Sequence, residues 1–258
     1  MTNFTVVIPA RYASVRFPGK PLHELAGRAM VLRVADQAVK AGATQVVVAT
    51  DDERIAAAVR DDQVAGVRVA LTDPTHASGT DRVQEAARQL GLAEDDIVVN
   101  VQGDEPLIPP VTIRQAAELV AEGPADAASL WAPISTREEL LDPNAVKVVV
   151  AASGLALYFS RSPIPFLRDV TGWDRVALAP HLQADTFKRH VGLYAYRVRT
   201  LNRFVTLPEA PLEQLERLEQ LRLLDQGIAL RLAQAVEPIP AGVDTPEDAQ
   251  RINDLLAS

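Results

Sequence analysis

Three cations lie close together near the amino terminus, Arg11, Arg16 and Lys20, with the hydroxyl of Ser14 between the first two. On a turn stiffened by Pro18 and Pro21, such a set and nearby backbone N–H groups can hold several phosphate charges at once. A solvated basic loop is the plainer alternative. The spacing is not that of a P-loop, because GxxxxGK[ST] is absent. A carboxylate facing such a pocket would hold Mg²⁺, which takes one or two carboxylates and lets phosphates and water complete its octahedron. Asp104, beside Gly103, is one candidate, and Asp244, also near a glycine, is a second. Each has a structural alternative: Asp104 as a turn or helix cap, Asp244 as part of the helix start Asp-Thr-Pro-Glu-Asp.

Other groups could contact a ligand. Ser78-Gly79-Thr80-Asp81 has the pattern of a helix N-cap, and such a turn leaves N–H groups and a hydroxyl that could read a base or ribose. Gln102 carries both a donor and an acceptor. Lys147, inside a β-branched run, either snorkels to solvent or serves a ligand. Glu219 falls on the apolar side of a helix expected over 212–226, with Arg222 close by. The two either form an i,i+3 ion pair, or the face borders a cleft where Glu219 and Gln220 hold a hydroxyl-rich substrate. Arg161 ends an expected strand and could take a carboxylate bidentately. His190 begins another, where a lone histidine is commonly structural.

The elements that must position these groups follow from periodicity. Phe4 to Ala10 is a short apolar run with the pattern of a buried strand, aimed straight into the cationic loop. Helical spacing follows over Met30 to Lys40, ending at Gly42; strands are expected at Gln45–Thr50, Val67–Leu71 and Asp96–Val101, with helices through Ile55–Val59 and Arg82–Leu90. That alternation implies βαβ units, a mainly parallel sheet, and loops gathered on one sheet edge, where open α/β folds bind ligands. Past Pro124 the texture becomes β-rich: strands at 126–134, 146–151 and 155–160 with a tight hairpin at Ala152-Ser153-Gly154. An irregular excursion or lid follows over 163–187, then a strand at 190–196, the 212–226 helix, a strand near 230–236 and a closing helix. One α/β domain over 1–258, with a β-rich subregion at about 125–190, is expected.

The chain has 258 residues, a net charge of −8 and no cysteine. The acidic balance argues against nucleic acid or an acidic membrane as partner, so an anionic ligand must be held by a local cluster. Disulfides, zinc–thiolate sites and thiol catalysis are excluded. No signal-like segment opens the chain and no apolar run approaches the roughly 18 residues of a membrane span, so a cytoplasmic protein is expected.

The segments IPARYASVRFPGKPL (8–22), SGTDR (78–82), VNVQGDEP (99–106), PNAVKVV (143–149), YFSR (158–161) and GVDTPED (242–248) occur in the order found in the 3-deoxy-manno-octulosonate (KDO) cytidylyltransferases, and the chain resembles that family over nearly its whole length. The opening loop differs from the Gly-Gly-Ser style of sialic acid cytidylyltransferases, and the 167–185 excursion, with an extra Trp173, is longer than the family's usual one. The resemblance implies a three-layer nucleotide-diphospho-sugar transferase-like fold and a homodimer formed through the β-rich insertion. It also implies a reaction needing Mg²⁺, in which CTP and KDO give CMP-KDO and diphosphate for lipopolysaccharide assembly. It places Arg11, Ala13, Ser14, Arg16 and Lys20 on the triphosphate and Ser78, Gly79, Thr80 and Gln102 on the nucleoside. Asp104 and Asp244 would hold the metal, and Gln102, Arg161, His190, Tyr194, Glu219 and Gln220 the sugar acid. Two rivals are a glycosyltransferase of related fold, for which a DxD motif would be expected and GDEP is not one, and a regulator that has lost catalysis, which would lack the cations or carboxylates retained here.

Overall fold

A computed structural model describes residues 2–13, 17–62, 66–76, 78–170, 173 and 175–257. In chain order the elements are β1 Thr5–Ala10, a 3₁₀ turn at Lys20–Leu22, β2 Glu24–Leu25, β3 Arg28–Ala29, α1 Met30–Lys40, β4 Gln45–Thr50, α2 Glu53–Asp61, β5 Val67–Leu71, α3 Gly79–Gln89 and β6 Ile97–Asn100. There follow α4 Pro110–Glu122, β7 Ala127–Pro133, α5 Arg137–Leu141, β8 Lys147–Val150, β9 Ala156–Ser160, α6 Arg175–Gln183, β10 Lys188–Arg197, α7 Val198–Phe204, α8 Pro211–Glu216, α9 Leu221–Asp225, β11 Leu230–Gln234 and α10 Pro246–Ala257.

The described residues form a sheet ordered β11-β7-β10-β6-β1-β4-β5, with β8 paired to β10 and β9 paired to β8. β1, β4, β5 and β6 pair in parallel, as do β7 and β11, whereas β10 is antiparallel to both β6 and β7. The fold is thus α/β around a mainly parallel sheet. One apolar layer packs α1 and α4 against it (Val31, Val34, Ile113, Val120), and the other packs α3, α7 and α9 (Val83, Leu201, Leu223). β1 is an interior strand between β6 and β4, buried except at Pro9, which is partly covered; its Val6 and Ile8 face one layer and Val7 the other. The 152–154 hairpin forms as expected, with Gly154 at φ +82° where glycine alone is unstrained.

Two expectations are corrected. The segment 212–226 is not one helix: α8 stops at Arg217, which sits in the left-handed region at φ +54°, and α9 restarts four residues later. An unbroken helix would give the carbonyls of Glu216 and Arg217 to the N–H groups of residues 220 and 221. Here Arg161 takes those carbonyls instead, Nε to Glu216 O at 2.7 Å and Nη2 to Arg217 O at 3.3 Å. The excursion 163–187 is not all irregular either, since α6 lies within it. Pro180 inside that helix withdraws a ladder donor and obscures its period. Leu178 and Phe187 nevertheless bury against Ile134 and Leu140 in a small separate core.

Candidate active site

The ends of β1 and β6 and the start of α10 converge on Lys20. Gly19, at φ +72°, turns the chain into the 3₁₀ segment that carries it. Its Nζ donates to Asp104 Oδ2 at 2.7 Å, Val243 O at 2.9 Å and Asp244 Oδ1 at 3.4 Å. The two aspartate loops are themselves joined, Val243 N donating to Asp104 O at 2.9 Å. Close approach requires glycine on both: a Cβ at Gly103 would lie 2.9 Å from Pro9 O, and one at Gly242 2.9 Å from Asp104 O. Asp244 does not cap α10. Thr245 does that, its hydroxyl accepting from Asp248 N while Asp248 accepts from the N–H groups of Asp244 and Thr245, which leaves the Asp244 carboxylate turned to Lys20. A cavity of about 180 Å³ opens here, lined by Pro9, Arg11, Lys20, Gln102 and Asp104 among others.

The cluster is acidic beneath its lysine. Glu105, next to Asp104, has its carboxyl pushed up to about 8, first by burial and then by the Asp104 charge, with Arg189 and Lys20 opposing. Lys20 is largely covered while Asp104 and Asp244 are partly open (14%, 33% and 49% side-chain exposure).

A second cavity, about 620 Å³, shares Arg11 with the first and is lined also by Ser78, Gly79, Asp81 and Glu219. Ser78 caps α3 with a reciprocal box: its hydroxyl accepts from Asp81 N, and Asp81 accepts from Ser78 N. Thr80 is buried, and its hydroxyl donates to Glu219 Oε2 at 2.7 Å. Burial raises the Glu219 carboxyl above the ordinary range, against the opposing hydroxyls of Ser78 and Thr80 and the charge of Arg222. Of the two alternatives for Glu219 and Arg222, the i,i+3 ion pair does not form: Arg222 forks onto Glu213, Nε to Oε2 at 2.9 Å, because the break at Arg217 returns α9 alongside α8.

His190 is buried in β10, edge-on to Phe159 at 4.9 Å and 5.3 Å from the Tyr194 ring. Its Nε2 lies 2.9 Å from Ser129 Oγ, which also meets the carbonyls of Val191 and Leu193 at 3.0 and 2.8 Å. A hydroxyl has one proton, and those carbonyls take it. Donation of that proton to either carbonyl requires the imidazole to donate from Nε2, which leaves Nδ1 as an acceptor. Burial, with Arg189 adding to it, pulls the ring down to about 3, so it is neutral at ordinary pH. The Tyr194 phenol is held far up by burial and by Glu219. Gln220 is buried, and Gln102 Nε2 lies 3.4 Å from Asn100 Oδ1.

The structure thus gathers Lys20, Asp104 and Asp244 in one cluster, Thr80 with Glu219, and His190 with Tyr194, with Arg11 lining both cavities. Ala13 is described at the end of the segment after β1, whereas Ser14 and Arg16 lie outside the described residues. The expectation of an open fork at Arg161 is corrected. Its guanidinium donates to the carbonyls of Pro143, Glu216 and Arg217, and Glu216 accepts from its N–H. Lys147 does not snorkel to solvent; fully buried, it donates to Asp142 O at 2.8 Å.

Sequence reasoning passed over Glu216, which accepts from Ser160 Oγ at 2.6 Å, and Arg82. The Arg82 guanidinium is wholly buried and ties α3 to Thr72 and Asp51. The signal for both was available: charged residues at apolar-face positions, which need partners when buried.

A divalent cation fits the first cluster. Its donors are two carboxylates and a carbonyl, all hard oxygens, and a positive group already stands between them as Lys20. Among the described residues no group of three or more His, Cys, Asp or Glu could hold a metal alone, so phosphate oxygens would have to complete the shell, as suits Mg²⁺.

A cation-lined pocket and an aspartate pair at the parallel-strand edge define a nucleotidyl-transfer class of site, and the comparisons agree. The family model described as Cytidylyltransferase matches residues 5–232, and the chain belongs to that family. It is 51% identical over 257 residues to the 3-deoxy-manno-octulosonate cytidylyltransferase of Cellvibrio japonicus (strain Ueda107), covering 98% of each chain. It is 50% identical over 258 residues to the protein of that name from Vibrio vulnificus (strain CMCP6), covering 99% of each. A solved structure of a CMP:2-keto-3-deoxy-manno-octonic acid synthetase complexed with CTP superposes with TM-score 0.86 at 39% identity, covering 99% of both chains. No helix among the described residues is long and apolar enough to cross a membrane.

Proposed function

We propose that the chain, as one domain over 1–258, is a nucleotidyltransferase that activates KDO, converting CTP and 3-deoxy-D-manno-octulosonate into CMP-KDO and diphosphate for lipopolysaccharide biosynthesis. The observation that carries this reading is Lys20 bridging Asp104 and Asp244 at the rim of the Arg11 cavity. Phosphoryl-type transfer asks a protein mainly for positioning and charge neutralisation, which such a cluster can provide. Arg11, Ala13, Ser14, Arg16 and Lys20 cradle the triphosphate, with Arg16 and Lys20 offsetting charge on the departing diphosphate. Ser78, Gly79 and Gln102 face the nucleoside. His190, Tyr194, Glu219, Gln220 and Gln102 receive the sugar acid, whose anomeric hydroxyl attacks the α-phosphorus in line. His190 Nδ1 can accept from a sugar hydroxyl. Arg161 holds the elbow that carries Glu219 and Gln220, and meets the sugar carboxylate only by exchanging a carbonyl for it.

Asp104 and Asp244 would hold Mg²⁺, which supplies Lewis-acid polarisation of phosphate oxygens and an attacking hydroxyl easier to deprotonate. Lys20 must then leave the aspartates and turn to the phosphates, a short swing for a flexible ammonium. Homodimerisation through the 125–190 region is part of the proposal, supported by Phe166 and Val176, which are 76% and 83% exposed there. A cytoplasmic setting is proposed with it, and neither nucleic acid nor a membrane is proposed as partner.

Incubating the protein with Mg²⁺, each of the four nucleoside triphosphates and a panel of sugar acids (KDO, its 8-amino analogue, sialic acid), and following diphosphate, tests the proposal. Diphosphate is expected with CTP and a KDO-type acid. Release only with sialic acid, or with no pair, overturns it.

A further inference from the structure

Thr80 belongs by sequence to the turn assigned to the nucleoside, yet its side chain faces elsewhere. It is 3% exposed, and its hydroxyl reaches across 139 positions of sequence to Glu219 Oε2 at 2.7 Å. That hydroxyl has a single proton, so a nucleobase acceptor cannot have it while Glu219 does. The bond is not needed to start α3, because the Ser78–Asp81 box already caps it.

Glu219 stands in the elbow between α8 and α9, outside either helix, with that elbow held from its other side by Arg161. Its two oxygens are unlike. Oε2 is taken by Thr80, the Ser78 hydroxyl also acts on the carboxylate, and Oε1 is enclosed with no hydrogen bond of its own. An enclosed acceptor beside a ligand cavity awaits a donor.

We infer that Thr80 is a positioning residue for the sugar acid: its hydroxyl fixes the Glu219 carboxylate at the wall of the larger cavity, where that carboxylate meets a hydroxyl of a polyhydroxylated acid. This rests on the assignment of Glu219 to the sugar side. It makes the nucleoside loop and the sugar pocket share one hydrogen bond, so the first turn of α3 sets the geometry of both.

Thr80→Val, Thr80→Ser and Glu219→Gln, assayed by diphosphate release with CTP and KDO varied separately, test this. Thr80→Val is expected to raise the KM for KDO about tenfold, the size of one orienting hydrogen bond, with the KM for CTP within about twofold. Thr80→Ser should restore the KDO value, and Glu219→Gln should raise it alone. Thr80→Ala replaces the valine variant should the latter not fold. A rise in the KM for CTP with KDO unaffected returns Thr80 to base reading and overturns the inference. A loss spread over both substrates together with a lowered Tm, not restored by serine, makes the bond merely structural and overturns it too. If Glu219→Gln moves the KDO value and Thr80→Val does not, the inference fails while Glu219 keeps its role. If neither moves it, the sugar-side assignment of Glu219 fails as well.

Discussion

The two clusters at the sheet edge are built by opposite means. Around Lys20 the two aspartates are partly open to solvent and compensated by the lysine, whose Nζ lies 2.7 Å from Asp104 and 3.4 Å from Asp244. Around His190 the groups are buried, largely neutral and fixed by hydrogen bonds to neighbouring strands and loops, with Ser129 holding the imidazole and Thr80 holding Glu219. A half-open ion cluster can exchange partners at modest cost, since its charges stay near water. A buried polar cluster cannot, because every lost bond leaves a desolvated group. On the proposed function, the rearranging half would take the polyphosphate and its cation, and the preformed half the sugar acid.

The largest effect expected from breaking the contrast is at Asp104. Asp104→Ala should lower diphosphate release about 10³-fold, the several kcal/mol a bound metal contributes. Its Tm should stay within about 2 °C of the parent, since a part-exposed pair contributes little to folding. Lys20→Met should cost about 10²-fold in kcat at similar Tm. A buried ion pair beside the site should answer in stability instead. Arg222 and Glu213 are both nearly covered, so Arg222→Ala leaves a buried carboxylate uncompensated and should cost about 3 kcal/mol in urea unfolding.

A smaller, pH-dependent effect is expected at His190. Its imidazole sits at about 3 in the folded chain against about 6.5 when unfolded. The unfolded chain therefore binds the extra proton first. The stability held in the neutral ring is complete above about pH 6.5 and is lost as pH falls from there toward 3, at up to about 1.4 kcal/mol per pH unit. His190→Gln, followed by urea unfolding between pH 7 and 4.5, should flatten that slope. An unchanged slope would place the ring in contact with solvent.

Much of this is legible in the sequence. β1, β4 and α1 follow directly from apolar runs and helical spacing. The cationic loop was located by a buried strand aimed into it, and Gly103 by its neighbours. What was not legible depended on tertiary partners. The break at Arg217 carries no glycine or proline, and arises because Arg161 claims the carbonyls an unbroken helix would use. Once the chain breaks there, Arg222 reaches Glu213 and Glu219 is released to Thr80. The pairing of Asp104 with Asp244 was suggested by family motifs, but the agent that joins them in the free chain, Lys20, had been assigned to phosphate alone. Spacing along the chain says which charges exist, and only the fold says which of them neutralise each other.

The account depends most on Asp244, the partner supplied from the far end of the chain. Diphosphate release by Asp244→Asn at saturating CTP and KDO across a Mg²⁺ titration tests it most directly. The expected result is a rate about 10³-fold below the parent at every Mg²⁺ concentration, with an unchanged Tm. A rate near the parent's, with the same Mg²⁺ dependence, would contradict it.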